Sequence, residues 1–260
     1  MDWDDAYANA AYIEGADAYP DRWAKEAATY RNESAARVDV AYGTGAREVY
    51  DLMLPEGTPK GLLVFVHGGY WLRFDKSFWS AFAKGARARG WAVAMPSYDL
   101  APDVRISEIT QQIAGAITHA AGEVAGPIVL AGHSAGGHLV ARAVCSGVLP
   151  ENVAARVVRS VPISPVSDLR PLLKTSMNTD LQLDEAECLA ESPALLSPRD
   201  DVEVTVVVGS AERPVFLDQA QWLSEAWGCD RIVVGDKHHF DVIDALADAD
   251  SDLCRMLFAG

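Results

Sequence analysis

The sequence lacks the features that would place it in a membrane, on nucleic acid or around a structural metal. No apolar run approaches the roughly 18 residues needed to span a bilayer. The acidic start, Met-Asp-Trp-Asp-Asp, has neither the basic nor the apolar region of a signal peptide. The four cysteines lie far apart without a CxxC pair, and the net charge of −15 disfavours nucleic acid and anionic membranes as partners. We therefore expect a cytoplasmic protein without disulfides or a zinc site.

What the sequence has is a regular alternation of short apolar segments and amphipathic ones. We predict strands at 37–42, 47–54, 61–67, 91–96, 127–133, 156–164, 202–209 and 231–235, and helices at 76–89, 104–124, 135–145, 215–227 and 242–257. Strands that are apolar throughout and alternate with helices are typical of a parallel sheet covered on both faces. The first two segments alternate in polarity, as an antiparallel edge hairpin would. The prediction is an α/β fold with eight strands.

We treat residues 1–260 as a single domain with two additions to this alternation. Residues 1–36 are polar and aromatic, and we expect them to form a partly helical cover over the sheet. Residues 166–201, rich in Ser, Asp, Leu and Pro, are long enough to form a small lid-like insertion. A division into two domains near Val166 is disfavoured because the strand pattern resumes at Val202.

The most informative motif is Gly-His-Ser-Ala-Gly at residues 132–136, between a predicted strand and a predicted helix. A serine at such a sharp turn has its hydroxyl exposed at the tip of the bend, and glycines on either side permit the close approach of the backbone. We therefore predict that Ser134 is a nucleophile. Its neighbours His133 and His138 are expected to pack or shape the pocket.

A serine nucleophile needs a base, and the base needs a carboxylate that holds its orientation. In hydrolases with this turn the order along the chain is serine, acid, histidine. Glu212 follows the predicted strand 202–209 and is our preferred acid. Asp218 is the alternative, although it falls within a predicted helix.

Two adjacent histidines, His238 and His239, follow the last predicted strand. This places them at the same edge of a parallel sheet as the proposed nucleophile. The pattern alone does not choose between them. A His-His pair also suggests a metal site, but no further His or Cys lies at ligand spacing, so we expect no metal.

A second glycine motif, His-Gly-Gly-Tyr-Trp at 67–71, directly follows the predicted strand 61–67. Acyl transfer requires donors for the oxyanion of the tetrahedral intermediate, and backbone N–H groups at a glycine-rich turn supply them without reorganisation. We predict that Gly69, Tyr70 and Ala135 donate their N–H groups, with Gly68 shaping the loop. The alternative is an ordinary tight turn between strand and helix.

Together these motifs resemble the α/β-hydrolase fold and, within it, the hormone-sensitive-lipase-like esterases. The stretch 67–71 is similar to the His-Gly-Gly-x-Trp signature of the serine-dependent kynurenine formamidases. Residues 212–216 resemble the acid loop of that family, and 239–241 match its His-Phe-Asp, which selects His239 as the base. Glu212 departs from the aspartate usual in that family. The resemblance covers nearly the whole chain after about residue 37.

The resemblance implies a serine hydrolase that converts N-formylkynurenine to kynurenine and formate without cofactor or metal. Trp71 and Phe216 are expected to form an aromatic wall for the substrate ring, although both could equally be core residues. The alternative functions are hydrolysis of small carboxylic esters and a non-catalytic binding role. We expect a small-molecule substrate as partner, with a homodimer as an open alternative.

Overall fold

The computed structural model describes residues 2–259 and contains one eight-stranded sheet. The strands, in the spatial order β1-β2-β4-β3-β5-β6-β7-β8, are β1 Ala36–Ala41, β2 Val49–Met53, β3 Leu62–Val66, β4 Ala92–Pro96, β5 Ile128–His133, β6 Val157–Ile163, β7 Glu203–Gly209 and β8 Asp230–Val234. β2 is antiparallel to both of its neighbours, and the remaining pairs from β4 to β8 are parallel. All eight predicted strands and the α/β-hydrolase class are confirmed.

Helices cover both faces of the sheet. The α-helices are α1 Trp3–Ala6, α2 Tyr19–Glu33, α3 Lys84–Ala88, α4 Ile106–Glu123, α5 Ala135–Ala143, α6 Glu151–Ala154, α7 Asn178–Leu181, α8 Glu185–Glu191, α9 Pro214–Trp227 and α10 Asp252–Leu257. Short 3₁₀ helices lie at Asn9–Tyr12, Ala16–Ala18, Lys76–Phe78, Ser80–Ala83, Arg170–Lys174, Pro193–Leu195 and Asp244–Ala247. Within residues 2–259, no helix is long and apolar enough to cross a membrane.

The two faces of the sheet belong to two separate cores, and strand β3 contributes to both. Leu62, Val64 and Val66 pack with α4, α5 and α9 on one face, whereas Leu63 and Phe65 pack with α2, α3 and α10 on the other. Successive side chains of a strand point to opposite faces, so burial on both sides explains why this strand is apolar throughout.

Two predicted helices are interrupted in the structure. The segment 76–89 consists of two 3₁₀ helices followed by α3. Trp79, between the two 3₁₀ helices, packs against Trp23, with ring centroids 4.8 Å apart. The segment 242–257 breaks near Ser251, whose hydroxyl accepts a hydrogen bond from the N–H of Cys254 and starts a new helix, α10. Periodicity alone predicts one continuous helix here, whereas the capping serine begins a separate one.

Candidate active site

Ser134 lies at a strained turn between β5 and α5. Its backbone has φ 57° and ψ −117°, a conformation that non-glycine residues rarely adopt. A Cβ on Gly132 would lie 2.2 Å from the carbonyl oxygen of Gly136, and one on Gly136 would lie 2.0 Å from that of Val66. Both positions therefore require glycine. The turn holds Ser134, which is 2% exposed, at the carboxyl edge of the sheet.

Glu212 and His239 form a hydrogen-bonded pair at the same edge. Nδ1 of His239 lies 2.6 Å from Oε2 of Glu212, and both side chains are almost fully buried. A carboxylate can only accept, so Nδ1 carries the hydrogen and donates it. In the neutral ring this leaves Nε2 unprotonated, which is the state that a general base requires.

The neighbouring His238 faces another part of the molecule. Its Nε2 lies 3.1 Å from the hydroxyl of Tyr19 on α2, and its Nδ1 accepts hydrogen bonds from the N–H groups of Phe240 and Asp241. These contacts occupy both ring nitrogens. Of the two histidines, the structure thus brings only His239 together with Glu212.

Glu212 has two further donors that sequence reasoning does not identify. Its Oε1 accepts hydrogen bonds from the hydroxyl of Ser164 at 2.5 Å and from the N–H of Gly209 at 2.8 Å. Together with Nδ1 of His239, three donors satisfy the two oxygens of this buried carboxylate. Ser164 follows β6 with φ 48°. Its position at the carboxyl end of a predicted strand is the signal that could have identified it.

The loop 67–71, which we call the oxyanion loop after its proposed role, packs directly against Ser134. A Cβ on Gly68 would lie 2.9 Å from Cβ of Ser134. Gly69, Tyr70 and Trp71 all have positive φ, at 112°, 54° and 57°. Three such residues in succession form an unusual turn.

The predicted oxyanion donors have no hydrogen-bond acceptor within residues 2–259. The N–H groups of Gly69, Tyr70 and Ala135 donate to no acceptor among these residues. Ala135 is the first residue of α5, where the helix dipole also favours negative charge. The arrangement can therefore receive an oxyanion.

Three buried histidines around the site are held uncharged. Burial lowers the pKa of His67 and of His138 to about 4, and it lowers that of His133 well below its ordinary value. His67 stacks on Tyr98, with ring centroids 4.4 Å apart, and its Nδ1 donates to the carbonyl of Gly68 at 2.7 Å. This ring fixes the start of the oxyanion loop. It adds no positive charge beside the nucleophile.

A cavity of about 570 Å³ contains Ser134, His239 and part of the oxyanion loop in its wall. Ten of its lining residues come from the segment 4–23, which we call the N-terminal roof, and two, Ser176 and Met177, come from the insertion 166–201. Its aromatic lining consists of Tyr7, Trp23, Tyr70, Phe74, Trp79 and Phe240. The roof therefore contributes more of the cavity than the predicted lid does.

Three contacts attach the roof to the catalytic loops. The hydroxyl of Tyr70 donates to the carbonyl of Tyr7 at 2.8 Å. Arg213, which follows the acid, forms an ion pair with Asp5 at 2.7 Å. On the other side, Asp4 accepts hydrogen bonds from the N–H and hydroxyl of Ser176. These contacts connect the roof to the oxyanion loop, to the loop that follows β7 and to the insertion 166–201.

Comparison with known proteins assigns the fold family. Residues 63–222, more than half of the chain, match the sequence profile of a family described as alpha/beta hydrolase fold. The chain belongs to this α/β-hydrolase family. It is an enzyme of the α/β-hydrolase type, as the hydrolase resemblance implied.

Relatives of this α/β-hydrolase carry different descriptions. Kynurenine formamidases from Salmo salar and Drosophila melanogaster are each 28% identical; the matches cover 85% and 83% of this chain and 80% and 78% of those proteins. A protein from Silicibacter sp. TM1040, whose crystal structure describes it as a candidate thioesterase, is 61% identical, with a TM-score of 0.98 over 100% of both chains.

The expected aromatic wall of Trp71 and Phe216 is not where the α/β-hydrolase sequence suggested. Both side chains are fully buried in the core, and neither lines the cavity. Phe216 packs against the ring of His239, with centroids 4.3 Å apart, and Trp71 against that of His138 at 5.1 Å. Both side chains point from their helix or turn into the core, and they contact histidines of the site there rather than the cavity. The core interpretation of these two residues is the one that agrees with the structure.

The structure also bears on the second candidate acid and on metal binding. Asp218 lies on α9, whereas Glu212 contacts the histidine. Within residues 2–259, no group of three or more His, Cys, Asp or Glu side chains is arranged to hold a metal ion.

Proposed function

We propose that this hydrolase removes the formyl group from an aryl formamide of the N-formylkynurenine type, with Ser134, His239 and Glu212 as its catalytic residues. The observation that carries the proposal is the buried Glu212–His239 pair, whose histidine lies in the wall of the same cavity as Ser134 and the oxyanion loop. The choice of a formamide is supported by formamidase relatives that match along about four fifths of their length.

The proposed chemistry builds on the Glu212–His239 hydrogen bond and on the shared cavity of His239 and Ser134. Nε2 of His239 takes the proton of the Ser134 hydroxyl as the oxygen attacks the formyl carbon, and the N–H groups of Gly69, Tyr70 and Ala135 stabilise the oxyanion. The imidazolium then gives its proton to the departing aniline nitrogen, and a formyl-enzyme remains. Water, activated by the same histidine, releases formate. Glu212 stabilises the imidazolium through Nδ1.

The cavity supports an aromatic substrate. Its volume of about 570 Å³ lies within the range of small-molecule sites, and much of its wall is aromatic. Trp23, Phe74 and Trp79 lie in edge or tilted contact with one another, with centroids no more than 6.2 Å apart. Side chains held in this way provide a rigid apolar surface for a planar ring.

The second candidate function is hydrolysis of small esters or thioesters. It is favoured by the 61% identical protein that is described as a candidate thioesterase. The same serine chemistry serves both functions, and an ester is easier to cleave because its leaving oxygen needs less help from a proton donor. The substrates therefore differ mainly in how much the enzyme depends on His239 as an acid and on binding within the cavity.

A direct rate comparison tests the proposal. We expect kcat/KM for N-formylkynurenine to exceed that for p-nitrophenyl acetate and for acetyl-coenzyme A by at least about tenfold, or roughly 1.4 kcal/mol of transition-state preference. Ser134→Ala is the control and should abolish turnover of all three. Rapid cleavage of p-nitrophenyl acetate or acetyl-coenzyme A without cleavage of N-formylkynurenine would assign the second function instead.

We further propose that the enzyme acts in the cytoplasm and pairs with a second copy of itself. All four cysteines are free thiols, as a reducing compartment favours. Strand β8 forms one edge of the sheet and exposes Ile232 and Val233, at 43% and 45%. Sedimentation equilibrium of the wild type beside an Ile232→Lys variant tests the dimer. A monomeric wild type would contradict it.

A further inference from the structure

Two arginines stand apart from the other fourteen in the chain. Every other arginine donates a side-chain hydrogen bond to a carboxylate, a hydroxyl or a backbone carbonyl. Within residues 2–259, the side chains of Arg73 and Arg231 form neither a hydrogen bond nor an ion pair. Both side chains are exposed, but Arg231 lies on the edge strand β8, whereas Arg73 lines the cavity that contains Ser134.

Arg73 is held close to the reacting groups by the oxyanion loop. Its N–H donates to the carbonyl of Gly69 at 3.2 Å, and its Cγ would lie 3.1 Å from a Cβ on Gly69. Its charge also opposes the rise that burial causes in the pKa of Tyr70. The Arg73 side chain therefore begins beside Gly69, whose N–H is one of the proposed oxyanion donors, and it extends along the lining of the same cavity.

Among the described residues, neither of the two carboxylates that line the cavity forms an ion pair with this arginine. Asp4 is occupied by the two hydrogen bonds from Ser176, and Asp17 forms no ion pair with any residue that the structure describes. His133 is uncharged because burial lowers its pKa. Among the described residues, Arg73 is the only Lys or Arg in the cavity lining of a chain whose net charge is −15. An anionic substrate would otherwise be repelled by such a chain.

We infer that Arg73 binds the carboxylate of an amino-acid substrate and so selects for substrates that carry this group. A guanidinium offers a planar pair of donors that matches a carboxylate, and no protein group within residues 2–259 competes for them. N-formylkynurenine carries such a carboxylate on its side chain, away from the formyl group. The inference rests on the proposed function only for the choice of this substrate as the reference.

Binding of two product-like ligands isolates the contact from catalysis. Isothermal titration of the whole protein with L-kynurenine and with kynuramine, the same molecule without the carboxylate, gives the ratio of the two dissociation constants. Arg73→Gln should raise the Kd of L-kynurenine about fivefold, the upper size expected for an ion pair at an exposed site, while the Kd of kynuramine stays within about twofold. Arg73→Lys keeps the charge and should retain most of the preference.

The control is Arg231→Gln, which removes the other unpartnered arginine and should leave both constants unchanged. General damage to the loop would weaken both ligands alike and leave their ratio unchanged. An unchanged ratio in Arg73→Gln overturns the inference, as does a wild type that binds neither ligand. Acetyl-coenzyme A tests phosphate as the alternative anion. A Kd that rises in Arg73→Gln for this ligand alone would also overturn it.

The outcome is separate from that of the proposed function. Charge-dependent binding of L-kynurenine without hydrolysis of N-formylkynurenine would refute the formamidase proposal and leave the role of Arg73 standing. Hydrolysis with an unchanged ratio would do the reverse.

Discussion

Replacing Glu212 by glutamine tests whether the carboxylate acts through its charge and hydrogen-bond pattern or only through its shape. The carboxylate accepts from Nδ1 of His239 at 2.6 Å, from Ser164 at 2.5 Å and from the N–H of Gly209 at 2.8 Å. Glutamine has nearly the same volume, but one of its two terminal atoms is a donor. It therefore cannot accept at both ends.

The more favourable orientation places the amide oxygen toward Ser164 and Gly209, because two donors point there. The amide nitrogen then faces Nδ1 of His239, which must lose its hydrogen, and the ring becomes the Nε2–H tautomer. This tautomer cannot take the proton of Ser134. We expect kcat to fall about 10⁴-fold, or about 5.4 kcal/mol of transition-state stabilisation.

Glu212→Asp provides the comparison because it keeps the charge and loses about 1.5 Å of reach. This variant should lose only about 10- to 100-fold in kcat. An acid that keeps its charge in an imperfect position should therefore be more active than one that keeps its shape and loses its charge. Ser164→Ala removes one of the three donors and should cost about tenfold. Asp218→Asn, on the neighbouring helix, should remain close to wild type.

The assay is steady-state hydrolysis of p-nitrophenyl acetate and N-formylkynurenine, with thermal unfolding to confirm that each variant is folded. A Glu212→Gln enzyme with more than about a tenth of wild-type kcat would refute the tautomer argument. So would a glutamine variant more active than the aspartate variant. A larger loss in Asp218→Asn than in Glu212→Gln would mean that the acid has been assigned to the wrong residue.

Four other expectations concern the remaining groups. Ser134→Ala should lower kcat by about 10⁴- to 10⁶-fold with unchanged circular dichroism. His239→Ala should be nearly as damaging, whereas His238→Ala should lower kcat less than about tenfold. Equal losses in the two histidine variants would contradict the different contacts of the two rings. Tyr70→Phe removes the hydroxyl bonded to the roof and should mainly raise KM, whereas a folded Tyr70→Pro, which lacks the amide hydrogen, should lose kcat. The pKa of His138 is about 4 in the folded protein because of burial, and the unfolded chain takes up this proton near pH 6.5. Its contribution to stability is therefore complete above about pH 6.5 and is lost as the pH falls toward about 4, by about 1.4 kcal/mol per pH unit. Urea unfolding at pH 7 and pH 5 should show a smaller difference in a folded His138→Gln variant, and an equal difference would refute this account.

The parts of this enzyme that were predictable are those fixed by local contacts. Gly132 and Gly136 are required because their Cβ atoms would strike backbone oxygens at 2.2 Å and 2.0 Å. The same backbone approach holds Ser134 at the tip of the turn, so the five-residue motif alone is enough to predict the geometry of this turn. The strands were equally accessible, because burial on both faces leaves a continuous apolar run.

The choice between neighbouring candidates was not local. His238 and His239 have the same surroundings in sequence, and their difference arises from contacts with Tyr19 and Glu212, 219 and 27 residues away. Ser164 lies 48 residues from the carboxylate that it stabilises. Periodicity reports which face of an element is buried, but it does not report which loops meet at the end of the sheet.

The N-terminal roof depends almost entirely on such distant contacts. Tyr7 meets Tyr70 across 63 residues, and Asp5 meets Arg213 across 208. The proposed catalytic residues lie on strand ends and their loops, whereas ten lining residues of the cavity lie on the roof. Substitutions at the lining positions of the roof can therefore alter what fits above Ser134 while the proposed catalytic residues themselves are kept. Relatives can share one catalytic apparatus and still act on formamides or on esters. For this reason substrate choice should be sought in the cavity lining, where Arg73 is the one Lys or Arg among the described residues.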